Sequence, residues 1–192
     1  MSTKKPYAFA KTQPALLTEL AERTGRVIGF GESLRYLPEE RLNARPGPKR
    51  WSALECLEHL NRYAEHYLPQ LEAKAVTASQ RKKDAYRPGL LGKPFALALH
   101  PDNRKTLRSP AAMNALGSSL DAKEVLTNHL EYQHRYAAVI DALEGKSLRG
   151  SRIPLSLSRL LRFHLGDVLT TLVWHNERHT NQAREAVGEG FG

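Results

Sequence analysis

Apolar residues recur at helical spacing in four separate stretches of this chain, and residues that start or stop helices bound each stretch. Leu16, Leu17, Leu20, Val27, Ile28 and Leu34 follow the capping residue Thr12 and Pro14, whose fixed φ suits a first turn. They predict a first helix over about 14–36. Gly25, Gly29 and Gly31 each cost ~1 kcal/mol there, so its second half is expected to bend or to pack closely on a neighbour. Pro46, Gly47 and Pro48 then predict a loop over 42–50.

The second stretch has the clearest start. Ser52 and Glu55 form an S-x-x-E capping box that satisfies the backbone donors of a first turn, and Leu54, Leu57, Leu60, Ala64, Tyr67, Leu68 and Leu71 continue as one stripe. A third helix over about 122–144 begins at Asp121 and Glu124 and ends at Gly145. Ile153 to Leu157 reads as a connection because Pro154 blocks a helix across it. The last helix starts at about 158 or 166 and runs to about 187, with Leu160, Leu161, Leu165, Val168, Leu169, Leu172 and Val173 on it. No stretch alternates convincingly as a strand, so the expectation is all-α, with the topology open between up-and-down and crossover forms. Residues 80–108 are long for a connection, and Leu90-Leu91 and Phe95 to Leu99 are apolar enough to pack. This segment is expected to lie across an end of the domain, partly ordered, with a short helical turn.

Composition adds limits. With 192 residues, 41% hydrophobic and no compositional break, the chain predicts one domain over 12–187 between flexible ends at 1–11 and 188–192. No apolar run approaches the ~18 residues of a membrane span, and the first ten residues lack a signal-type hydrophobic block, so a cytoplasmic protein without a membrane contact is expected. The net charge of +9 invites a nucleic-acid reading. Much of the excess sits in one place, however: Arg81, Lys82, Lys83, Arg87, Lys93, Arg104, Lys105 and Arg108 face only Asp84 and Asp102. That segment is either a solvated basic connection or an anion-binding surface. The single cysteine, Cys56, excludes an internal disulfide and a multi-cysteine zinc site, so a metal would rest on His, Asp or Glu.

Those residues are present at a suggestive spacing. His175 and His179 are four apart on the last predicted helix, which puts both imidazoles on one face. Gln182 follows on the same stripe, where a neutral amide can orient a ligand or a water. His59 lies two turns into the second helix beside its apolar stripe; His66, seven residues on, either faces the surface or lines the same cavity as Tyr63. His129 and His134 are five apart and splay by about 140°, so they cannot share one ion. A zinc-protease reading of His175-x3-His179 fails because Asn176 occupies the position of the general base, and Glu177 points about 200° away from His175. Cys56 reads as a small buried hydrophobe or as a group approaching a metal, and Trp51 and Trp174 as packing residues.

The run Trp51-Ser52-Ala53-Leu54-Glu55-Cys56-Leu57-Glu58-His59-Leu60 resembles the W-S-x-x-E-x-x-x-H-L opening of the second helix in the DinB/YfiT-like superfamily, and His175, His179 and Gln182 resemble its last-helix signature. The resemblance spans about 12–187. It implies a four-helix bundle with a long connection between helices 2 and 3, in which His59, His175 and His179 hold one divalent metal with open positions. Zinc or nickel is expected first and iron or manganese next. Members include transferases that use low-molecular-weight thiols, a thiol-dependent isomerase and metal-dependent hydrolases, so a metal-activated thiol or water is the expected nucleophile. The expected partners are a small-molecule substrate, probed by a pocket at His66 and Tyr63, and a second copy in a homodimer. A non-catalytic metal- or small-molecule-binding stress protein is the second reading, and nucleic-acid binding through 80–108 the third. No residue stands out as the catalytic acid or base.

Overall fold

A computed structural model describes residues 9–103, 105, 109–118, 120–156 and 158–188. Among them are six α-helices and a two-stranded sheet. Four helices are long: α1 (Gln13–Leu34), α3 (Ala53–Thr77), α5 (Ala122–Ala142) and α6 (Leu165–Ala186). Two are short: α2 (Glu39–Asn43) and α4 (Gly92–Leu99). The starts follow from local chemistry. The Thr12 hydroxyl accepts from Ala15 N at 3.3 Å, the Asp121 carboxylate accepts from Glu124 N at 2.7 Å, and Ser52 and Glu55 complete the full capping box of α3.

The sheet corrects the all-α expectation. Strand β1 (Arg152–Leu155) pairs antiparallel with β2 (Ser158–His164), with Ile153 opposite Phe163 and an irregularity between Pro154 and Leu155. The residues read as a connection, and those that the earlier of the two expected starts, 158, would put in the last helix, are therefore a hairpin, and the later start, 166, is the one that holds. Ile153, Leu155 and Phe163 are buried whereas Leu160 is 94% exposed, a distribution set by cross-strand pairing rather than by a helical face. α6 consequently starts at 165.

The four long helices pack as a closed ring of neighbours: α1 on α5, α5 on α3, α3 on α6 and α6 on α1. One apolar cluster occupies one end, where Leu16, Leu20, Leu68, Tyr136, Leu169 and Trp174 meet the hairpin. A second occupies the other, with Phe30, Leu34, Leu54, Leu57, Val125 and Ala183. Each long helix carries buried polar residues at the level between them: Thr24 on α1, His59 and Asn61 on α3, His129 and Gln133 on α5, and His175, Asn176, His179 and Thr180 on α6. The core is thus two apolar caps around a polar belt. Gly31 is the glycine of α1 that packs closely, since a Cβ there would lie 2.9 Å from Leu130 Cδ2; Gly25 and Gly29 face open space.

Described residues of the long segment after α3 pack against the last helix. α4 packs on α6, and Gly92 at its start permits the approach, because a Cβ there would lie 2.7 Å from Asp167 Cβ. The buried Asp167 carboxylate accepts from Tyr86 Oη at 2.7 Å and from Gly89 N at 2.9 Å, pinning the stretch just before α4 to α6. Arg81 pairs with Asp84 at 2.9 Å, so not all of the basic charge here is free; Arg104 and Arg108 lie outside the described residues. Of the N-terminal stretch expected to be flexible, 1–8 lie outside the described residues, while Phe9 lies 5.0 Å from the Trp174 ring and Lys11 O accepts from Tyr86 N. The C-terminal residues 189–192 lie outside as well. No helix of the described residues is long and apolar enough to cross a membrane.

Candidate metal centre

The polar belt brings His59 of α3 against His175 and His179 of α6, more than a hundred positions later in the chain. One ligand nitrogen from each lies within 4.8 Å of the others, and their side chains are almost wholly buried, His59 at 1%, His175 at 5% and His179 at 8% exposure. His59 Nε2 is 3.3 Å from His175 Nε2.

Each ring is held neutral. Burial lowers His59 to about 4, against a smaller raising effect of the Met113 carbonyl and a lowering one of Arg62. Burial pushes His175 well below its ordinary value, reinforced by His59 and Arg178. His179 is likewise pushed well below by burial, then by His175 and His59, with Gln182 opposing. His59 Nδ1 lies 2.6 Å from Met113 O. A carbonyl only accepts, so Nδ1 carries the proton and the Nε2 lone pair turns toward His175.

These features fit a divalent cation. Two nitrogens held at about 2.0–2.1 Å around a tetrahedral ion lie ~3.3–3.4 Å apart, which matches the His59–His175 separation. A cluster of three deprotonated ring nitrogens, with His179 Nδ1 buried and without a hydrogen-bond partner among the described residues, is a donor set for such an ion. The outward hydrogen bond of His59 is the usual support for a ligating imidazole.

A cavity of about 450 Å³ opens on the cluster. Its walls come from α3 (Tyr63, Tyr67), α4 (Phe95, Leu99), the hairpin (Leu155, Ser156) and α6 (Thr171, His175, Arg178, His179, Gln182). Most of this surface is apolar, and no carboxylate lines it among the described residues. The Tyr67 hydroxyl accepts from Ser156 N at 2.7 Å and donates to Ser156 Oγ at 3.1 Å, fixing the hairpin as one wall.

The sequence-predicted residues separate accordingly. His59, His175 and His179 come together, Gln182 lies beside them on the cavity wall, and Tyr63 lines the cavity with its ring 4.8 Å from that of His175. Burial, then Tyr67, raises the Tyr63 hydroxyl to about 12, so it stays protonated. His66 is exposed with its ring against Tyr67 and is not among the residues that line the cavity: it keeps nearly the helical phase of His59 but lies two turns, about 10 Å, further along α3. His129 is buried elsewhere in the belt, and Cys56 packs in the second apolar cluster, where burial raises its thiol.

Three residues contribute to the site without having been assigned to it from the sequence. Trp51, read as packing, lies 5.5 Å from the His179 ring in a stacked arrangement and 4.7 Å from the His59 ring. Met113 contributes a backbone atom, for which sequence holds no signal. Arg178 falls between the two α6 histidines, but its guanidinium is held by the carbonyls of Asn103 and Lys105, which lie more than seventy positions earlier in the chain.

A mostly helical protein with a buried three-histidine cluster beside a largely apolar cavity is the class that fold and site define. A family model, the DinB superfamily, matches residues 15–183, and the chain belongs to that superfamily. No curated protein and no solved structure matches it.

Proposed function

We propose that this protein is a divalent-metal-dependent enzyme built on the four-helix bundle of its superfamily, with His59, His175 and His179 holding the ion. The observation that carries the reading is the set of three buried, neutral imidazoles whose ring nitrogens converge, with His175 and His179 on the cavity wall. When bound, a divalent ion with open positions supplies a lowered pKa for a thiol or a water near neutral pH. The reaction class it supports is S-transfer from a small thiol, or hydrolysis, with zinc or nickel the first expectation for the ion.

The chain's own groups do the rest. Gln182 and Tyr63 flank the ligands and offer neutral hydrogen bonds; Phe95, Leu99 and Leu155 exclude water from the reacting end. With no carboxylate on the described walls, proton removal by a protein base has no candidate there, which favours a nucleophile acidified directly at the ion.

The test is metal analysis of untagged protein beside the His59→Ala/His175→Ala double variant, followed by assays of electrophile conjugation to several thiols with loaded and metal-stripped protein. Stoichiometric metal in wild type only, and turnover in the loaded form only, is the expected result. Absence of stoichiometric metal after reconstitution would sink the reading; metal without turnover would leave a binding protein.

A further inference from the structure

Arg178 brings a positive charge to the same cavity, and no carboxylate among the described residues lines that cavity to meet it. Its side chain is 9% exposed, and it lines the cavity together with His175, His179 and Gln182. Its described partners are two backbone carbonyls, those of Asn103 and of Lys105, the latter at 2.6 Å. A guanidinium has five N–H donors, so three remain after these two.

The carboxylates of its own helix are committed elsewhere. Asp167 is held by Tyr86 and Gly89, Glu177 by Arg23 and Arg26, and Glu185 by Arg50. The histidine cluster is neutral and adds no negative charge, and a divalent ion there would add two positive ones. A buried charge of this kind is costly unless an anion pairs with it. The two carbonyls also fix the guanidinium plane, which leaves its remaining edge preorganised for a planar two-oxygen partner.

We infer that the ligand of this cavity is a small organic carboxylate with an apolar body, its carboxylate on Arg178 and its other end toward the histidine cluster. The inference names the ligand class of the site proposed above and rests on this cavity being the one that binds substrate. Aromatic and aliphatic walls from Tyr63, Phe95 and Leu99 take the apolar body.

The probes are 4-phenylbutyrate and its uncharged amide, matched in length and shape, titrated calorimetrically into the full chain in zinc-loaded and metal-stripped forms. The carboxylate is expected to bind about tenfold more tightly than the amide or better in both forms, the value of one charge-assisted hydrogen-bond pair. In Arg178→Gln this preference is expected to fall below about threefold while amide affinity stays within about twofold. Arg178→Lys, which keeps the charge and loses the fork, should retain a reduced preference and covers the case in which the glutamine variant misfolds. Equal or undetectable binding of the two probes, or a preference that survives in Arg178→Gln, overturns the inference. So does a preference that vanishes on stripping, because it would belong to the metal and not to Arg178. Failure of the metal reading shows separately, as absent zinc, and leaves the carboxylate preference of the stripped form standing.

Discussion

Lowering the pH from 7.5 to 5 tests whether the three imidazoles are preset for a cation. A ligand of ordinary histidine pKa 6.5 is almost fully protonated at pH 5, and proton competition then weakens metal binding by about 30-fold per ligand, about 3 × 10⁴-fold for three. His59 is held near 4, chiefly by burial. The same arithmetic at pH 5 costs it only about 1.1-fold. His175 and His179 are pushed well below 6.5 by burial and by their neighbours, which keeps their contribution small too. Apparent zinc affinity is therefore expected to change by less than about tenfold between pH 7.5 and 5. Competition against a chelator of known pH dependence measures it, with far-UV circular dichroism at each pH to establish that the fold persists. A fall of about a thousandfold or more with the fold intact would refute the claim that the site is preformed and proton-free.

Three other expectations follow from named residues. His129 is fully buried with neither ring nitrogen partnered among the described residues, and burial lowers it to about 4. Its folded pKa lies below the unfolded one, so stability is complete above about 6.5 and is lost as pH falls, by about 2 kcal/mol at pH 5; urea unfolding of His129→Leu should show a pH dependence smaller by that amount, and an unchanged dependence would contradict it. Glu55 accepts from Ser52 N, Gly117 N and Arg45, so Glu55→Ala should lower unfolding free energy by about 2–3 kcal/mol, measured by denaturant at pH 7; a loss below about 0.5 kcal/mol would contradict the buried-cap account. Trp51→Ala should weaken metal binding roughly tenfold or more if its stack orients His179, and unchanged affinity would reduce Trp51 to packing.

The parts of the fold that were legible are those written locally. Ser52 with Glu55, Asp121 and Thr12 fixed three of the long helix starts because a cap acts within four residues. The hairpin was not legible: Leu160 and Leu161 sit at spacings compatible with a helix, and only their partner β1 makes them strand. The short helical turn expected within 80–108 is α4, whose start Gly92 and Pro94 obscured, since the reason for a glycine there, the Asp167 side chain, lies 75 positions away. In the site, helical phase put His175, His179 and Gln182 on one face, but nothing local points His59 at them. That pairing rested on resemblance, and of the two readings of His66 the surface-facing one holds, because phase says nothing of the distance along the axis.

Met113 reaches His59 with its carbonyl, and that choice of atom changes what variation can reveal. The orientation of a ligand ring is set by the course of the main chain, so replacing the Met113 side chain should leave the tautomer of His59 as it is. Deleting or inserting one residue between 110 and 118 should not. A scan of substitutions would record this segment as dispensable, while a scan of chain length would find in it a control element of the histidine cluster.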